Sequence, residues 1–252
     1  MDSSGEYRAE TYGERWAEIY DPWVAELGFL TDGETVAARL ADLAGGGPAL
    51  ELAIGTGRVA LPLAEMGVEV HGIDISLAMV AKLREKPGGE DIPVTMGDFA
   101  DVPVEGRFPL IYLVFNTIFA LLTQEDQVRC FASVAAHLTD GGVFVLEAFL
   151  PDPTRYVRGQ NLEVLDVGVE RMILIGSKHD PTTQSVESLQ VRLEEGKPPR
   201  TYPVKLRYCY PAELDLMARL AGLRLRERWG GWDREPFTGA SGRHVSVYER
   251  DR

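Results

Sequence analysis

Apolar residues recur along this chain with two rhythms, and the change between them predicts the architecture. From 7 to 45 they fall at helical spacing, with Trp16, Ile19, Tyr20 and Trp23 on one face. Gly45-Gly46-Gly47-Pro48 then breaks the chain. Beyond it, short apolar runs alternate with amphipathic stretches. Strands are predicted at 49–54, 68–73, 92–96, 109–115 and 143–148. Helices are predicted from the first strand to about 65, at 76–86 and at 124–138. Ser76 stands where an N-cap is needed, and Asp140-Gly141-Gly142 closes the helix at 124–138. Repeated strand–helix units with apolar strands imply a mostly parallel sheet covered on both faces.

The rhythm changes after Pro151. Runs at 168–178, 185–193 and 201–209 alternate with turn signals instead of helices, which predicts an antiparallel meander. A helix over Glu213 to Ala221 and strands at 223–229 and 244–249 restore the first pattern. The chain therefore divides into an N-terminal helical cap (1–45), an α/β core (46–150 and 211–252) and an inserted antiparallel sheet (151–210).

Composition narrows the partners. A net charge of −13 over 252 residues disfavours nucleic acid and anionic membrane surfaces. Cys130 and Cys209 are far apart and form no CxxC pair, so neither a disulfide framework nor a metal site is suggested. The first six residues are polar and acidic, unlike a signal peptide, and no apolar run is long enough to span a bilayer. A cytoplasmic protein is expected.

Candidate chemistry gathers at the C-terminal ends of successive strands, where open α/β sheets bind ligands. The first feature is Glu51 followed by Gly55-Thr56-Gly57-Arg58. The glycines permit a tight turn close to a ligand, whereas Glu51 is an acid in an apolar strand and needs a partner. The position of a third fingerprint glycine holds Ala60. The second is Asp74, about twenty residues on, where an acid binds ribose hydroxyls or merely favours a helix N-terminus. The third is Gly97-Asp98-Phe99, able to meet an adenine amine and ring, or a simple turn. The fourth is Phe115-Asn116-Thr117-Ile118-Phe119, a pocket wall in which Asn116 would orient a ligand and Phe119 is equally well core.

The E-x-A-x-G-T-G loop from Glu51 to Gly57, Asp74, Gly97-Asp98-Phe99 and the H-L-T-D-G-G run at 137–142 together resemble the class I S-adenosylmethionine-dependent methyltransferases. The resemblance covers roughly 7–150 and 211–250. It implies a Rossmann-like seven-stranded sheet with its last strand antiparallel. It also implies S-adenosyl-L-methionine as cofactor and transfer of a methyl group to nitrogen or oxygen of a small molecule. The likeness is strongest to natural-product and sugar-amine enzymes with a helical cap and an auxiliary sheet, and it leaves a homodimer open. It extends the cofactor site to Ala53, Ile75 and Met79. It casts the cap tyrosines Tyr12 and Tyr20 as groups that reach the cofactor or acceptor.

Such a transfer needs in-line alignment of acceptor and methyl. Phe115, Tyr20 and Trp16 are candidates to sit beside the sulfonium, since aromatic faces attract cations. Glu51 suits the methionyl ammonium. Arg58 suits the methionyl carboxylate, or is a solvated charge on a helix. Glu147 is the candidate base for a protonated amine, or an acid satisfied by a helix N-terminus or by Arg155. Of the histidines, His71 and His137 read as structural, and His179 at a hairpin turn is the one nearest an acceptor. Two other classes share the glycine loop: a nicotinamide-dependent oxidoreductase, and a non-catalytic binder of S-adenosylmethionine.

Overall fold

The computed structural model describes residues 7–27 and 31–251; the first six residues, read above as unlike a signal peptide, lie outside them. Three helices open the chain: α1 (Thr11–Trp16), α2 (Tyr20–Leu27) and α3 (Gly33–Ala44). The core then runs β1 (Ala49–Leu52), α4 (Ala60–Glu65), β2 (Val70–Asp74), α5 (Leu77–Arg84), β3 (Val94–Met96), β4 (Phe108–Leu113), α6 (Gln124–His137) and β5 (Leu138–Phe149). A four-stranded antiparallel insertion follows: β6 (Gln160–Val167), β7 (Arg171–Asp180), β8 (Ser185–Glu194) and β9 (Arg200–Arg207). The chain closes with α7 (Pro211–Leu220), β10 (Leu223–Trp229) and β11 (Arg243–Arg250).

The main sheet has seven strands in the order β10-β11-β5-β4-β1-β2-β3. The pairs among β1 to β5 are parallel, and β11 runs antiparallel to both neighbours. This is the expected Rossmann-like arrangement. Strand alternation splits the apolar residues between two cores. Leu50, Ile111, Leu113, Phe144 and Leu146 face α6 and α7, and Ala49, Leu110, Tyr112, Val143 and Val145 face α3 and α4. The parallel order reverses at β1/β4, so the ends of those strands open a crevice.

Ser76 caps α5 as predicted, its Oγ accepting from Met79 N–H at 3.2 Å; α6 is capped by Thr123, which was not foreseen. Three expectations need correction. Strand β6 was not foreseen; its apolar residues Leu162 and Val164 stay exposed, and only pairing with β7 makes it a strand. Residues 168–170 belong to the turn before β7, where Gly168 N–H donates to Arg171 O at 2.7 Å. Asp140-Gly141-Gly142 does not precede β5 but lies within it, as an irregularity in the pairing with β4.

Two attachments fix the insertion. Arg207, 7% exposed, donates to Gln127, Gln184 and Glu213, tying β9 to α6 and α7. Trp16, Ala17, Met79 and Tyr202 form a separate core joining α1, α5 and β9. A tryptophan buried as fully as Trp16 contributes on the order of 5 kcal/mol of apolar burial, so the cap is held firmly. The fit is close: a Cβ on Gly13 would lie 2.2 Å from Ser76 Oγ.

Candidate active site

Strand β1 ends in a backbone that ordinary residues resist. Ala53, Gly55 and Gly57 all have positive φ, 56°, 58° and 79°. Gly57 serves packing, since its Cβ would strike Leu83 at 2.3 Å. Gly55 borders open space and lines a narrow cavity with Tyr20, Glu51, Ala53, Thr56, Arg58 and Phe115. Six of the residues expected around a cofactor thus meet one cap tyrosine at the crevice.

Glu51 has its partners. It is 3% exposed, accepts the Tyr112 hydroxyl at 2.9 Å and takes the Ala60 N–H. Burial nevertheless pushes its carboxyl up to about 8, against the pull of Tyr112 and Arg58. The nearby Asp74 carboxylate adds to that rise. Tyr20 is half-buried, and desolvation raises its hydroxyl pKa, partly countered by Arg58, to which it is hydrogen-bonded. Tyr12 stacks on Trp16 at 5.5 Å, and burial raises its hydroxyl well above the usual range.

Asp74 anchors the loop. Its carboxylate accepts Gly55 N–H at 2.7 Å and Ser76 N–H at 2.8 Å, and burial raises its pKa. Each carboxylate oxygen keeps a further acceptor site. Ile75 is half-buried beside it. Met79 packs instead into the cap core, away from the cavity lining. Asp98 accepts Ala100 N–H at 2.9 Å and remains part-exposed, with Arg129 3.9 Å away. Phe99 belongs to the core with Ala100 and Val102.

The turn after β4 is strained and held from β5. Phe115 and Asn116 have φ of 54° and 65°. Phe115 N–H donates to Glu147 Oε2 at 2.9 Å, and Asn116 N–H donates to the Glu147 carbonyl at 3.1 Å. Asn116 Oδ1 accepts Phe149 N–H at 2.6 Å, so its carbonyl is spent on β5 and not aimed at a ligand. Glu147 is satisfied by the Phe115 backbone with Arg243 3.8 Å away; Arg155 pairs with Glu163. Phe119 packs against Phe149 and is core.

Arg58 is no solvated helix charge. It lies 5.8 Å from the Phe115 ring centroid and donates to Thr31 O at 3.3 Å. Trp16 is enclosed by Tyr12, Trp23 and Tyr202, and Trp23, 6.0 Å from Phe115, takes the place beside the cavity. His71 pairs with Glu69, and both His137 ring nitrogens meet carbonyls. His179 is stacked on Tyr156 and Tyr208 and hydrogen-bonded to the Tyr208 hydroxyl at 2.9 Å.

Sequence inspection missed one device. Asp21 accepts Thr56 Oγ1 at 2.6 Å and pairs with Lys86 Nζ at 2.7 Å, while Lys86 also donates to Thr56 O at 2.7 Å. A helix of the cap is thereby latched to the glycine loop.

The arrangement has known counterparts. Residues 49–142 match a methyltransferase domain. Over 203 residues the chain is 30% identical to the cypemycin N-terminal methyltransferase of a Streptomyces species, covering 80% of this chain and 82% of that one. It superposes on the CcbJ methyltransferase of Streptomyces caelestis with a TM-score of 0.92 and 41% identity, over 98% of this chain and 100% of that one. The amino pentose methyltransferase CalS10 of Micromonospora echinaspora, solved with S-adenosylmethionine bound, shares the fold at a TM-score of 0.70 and 21% identity, over 92% and 96% of the two chains.

Proposed function

This chain belongs to the S-adenosyl-L-methionine-dependent methyltransferases, and we propose that it methylates an amine nitrogen of a small molecule. Membership of the family removes the nicotinamide reading that the glycine loop alone left open. The observation that carries the proposal is the cavity itself. It brings the buried carboxyl of Glu51, the guanidinium of Arg58 and the rings of Tyr20 and Phe115 around the Gly55 turn. A zwitterionic amino-acid moiety suits that donor set, because Glu51 answers an ammonium and Arg58 a carboxylate.

Further along the strand ends, Asp74 is placed to accept ribose hydroxyls with its remaining lone pairs, and Asp98 to accept an adenine amine. When bound, the cofactor supplies a methyl group already activated on a sulfonium. The protein's task is then to orient the acceptor and exclude water. Phe115 presents an aromatic face at the cavity and Tyr20 a protonated hydroxyl. Tyr12 packs on Trp16 in the cap core, outside the cavity lining, and supports the cap from there. Glu147 positions Phe115 through the backbone; with its carboxylate engaged there, we assign it no proton transfer.

Nitrogen is favoured by the relative at 30% identity, which is named for acting at the N-terminus of cypemycin. A small acceptor is favoured by the narrow cavity under the cap and by the net charge of −13, which repels polyanions. The test is turnover of S-adenosylmethionine with a panel of primary and secondary amines and matched alcohols, read by mass spectrometry. A one-methyl increment on amines is expected. Methylation confined to alcohols, or cofactor binding without any methylated product, would overturn the reading.

A further inference from the structure

The four-stranded insertion is patterned the reverse way for a sheet with one face in water. Its face toward the cap carries Ser177 and Ser188, whose hydroxyls meet at 2.8 Å, and the buried Gln190 and Arg192. Its outer face is apolar. The register lays Leu162, Gly176, Leu189 and Pro203 in one row across the strands. Val164, Leu174 and Val191 stand in the next row, and Val167, Met172 and Leu193 in the last. An antiparallel sheet solvated on one side places its polar residues there. Of the fifteen exposed large apolar side chains among the described residues, Leu162, Val164, Val167, Met172, Leu189 and Leu193 all lie on this face, so the apolar surface is gathered into one patch.

The patch has relief. A groove of about 740 Å³ crosses the strands between the Leu162 row and a polar row of Gln160, Lys178, Glu187 and Lys205. The apolar row has a hole at Gly176, where a Cβ would find no atom within 4 Å. Leu162, opposite it on β6, is 70% exposed and forms a knob. A two-fold interface needs knob and hole on one surface, because each copy then offers what the other lacks. Charge points the same way. Lys205 pairs with Glu187 at 2.8 Å, and across these rows the one acid faces two lysines. Two copies of a chain with a net charge of −13 therefore meet here without the repulsion expected elsewhere on their surfaces. The size is sufficient. Four strands at ~4.8 Å spacing and eight residues at ~3.4 Å rise cover about 500 Å² per copy, and a specific interface needs about 1,000 Å² over both partners.

We propose that the outer face of the insertion packs on the same face of a second copy of this chain, sheet to sheet about a two-fold axis, with Leu162 seated at the partner subunit's Gly176 and the reverse. The cap and the crevice stay free, because they adjoin the opposite face of the insertion. The proposal does not depend on the methyltransferase reading.

Sedimentation equilibrium of the full chain is expected to give twice the 27.8 kDa of one copy, with or without S-adenosylhomocysteine. Leu162→Glu and Leu189→Glu each place a carboxylate in the apolar contact and should weaken the dimer by at least ~30-fold, as for central interface residues. Gly176→Val, which fills the hole, should weaken it as well. Leu220→Glu, at an equally exposed position on α7, should leave it unchanged. Far-UV circular dichroism matching the parent's shows that each variant is folded. A parent protein that sediments as a monomer, or a dimer that survives both Leu162→Glu and Leu189→Glu, overturns the proposal. So does a loss confined to Leu162→Glu, which would mark pairing through the free edge of β6 instead of the sheet face.

Discussion

Glu51 shows how one carboxyl can couple ligand, proton and stability. In the folded protein it holds its proton up to about 8, whereas the unfolded chain releases it near the usual 4.5. The folded state therefore binds more protons across that window, and stability of the free protein falls as pH rises from about 4.5 to 8. An ammonium at Glu51 favours the carboxylate. Affinity for S-adenosylhomocysteine should accordingly rise between pH 6 and 8 with proton release, measured by calorimetry in buffers of different ionisation enthalpy. Glu51→Gln should flatten that dependence. Asp74 acts through hydrogen bonds, and Asp74→Ala should weaken S-adenosylhomocysteine by about 1–3 kcal/mol, for loss of a charged acceptor. Unchanged calorimetric affinity would remove its ribose role. Both carboxylates were legible in the sequence, because acids at strand ends beside glycine turns stand out. Their partners were not: Tyr112 lies 61 positions from Glu51 in sequence and meets it only when β4 pairs with β1.

At the scale of elements, the decisive contact is between α2 and the glycine loop. Asp21, Lys86 and Thr56 form a closed set of polar contacts that holds the cap over the crevice. Lys86→Met should leave the sheet intact and shorten the residence time of S-adenosylhomocysteine by ~10-fold, equivalent to ~1.4 kcal/mol. Stopped-flow displacement would measure it, and an unchanged off-rate would show that the latch does not gate the site. The helices of the core were readable because amphipathic period and caps are local properties; Ser76 is an example. Strand β6 was not, since nothing local distinguishes its exposed apolar residues from a loop until β7 runs beside them. The two strained residues Phe115 and Asn116 were likewise invisible, because positive φ at non-glycine residues is imposed by Glu147 from another strand.

For the whole molecule, His244 reports the acid limit. It is fully buried in β11, and desolvation with the nearby Arg228 lowers its pKa to about 4 from the usual 6.5. The unfolded chain therefore binds the extra proton first, and stability present above about 6.5 is lost as pH falls toward 4. The loss across that window is on the order of 3 kcal/mol. His244→Met should have a flatter Tm between those pH values in scanning calorimetry; parallel curves would place the acid limit elsewhere. No helix among the described residues is long and apolar enough to cross a membrane. The sequence by itself determined the alternation of strands and helices, the mostly parallel sheet and the carboxylates at its strand ends. Those follow from apolar period, glycine turns and spacing, which are local. Only the tertiary structure decided that α2 closes on the glycine loop, that Glu147 serves the backbone, and that Tyr202 of the insertion packs on Trp16 of the cap. Each of those depends on strands and helices far apart in sequence being brought side by side, and no local pattern encodes which distant groups will meet.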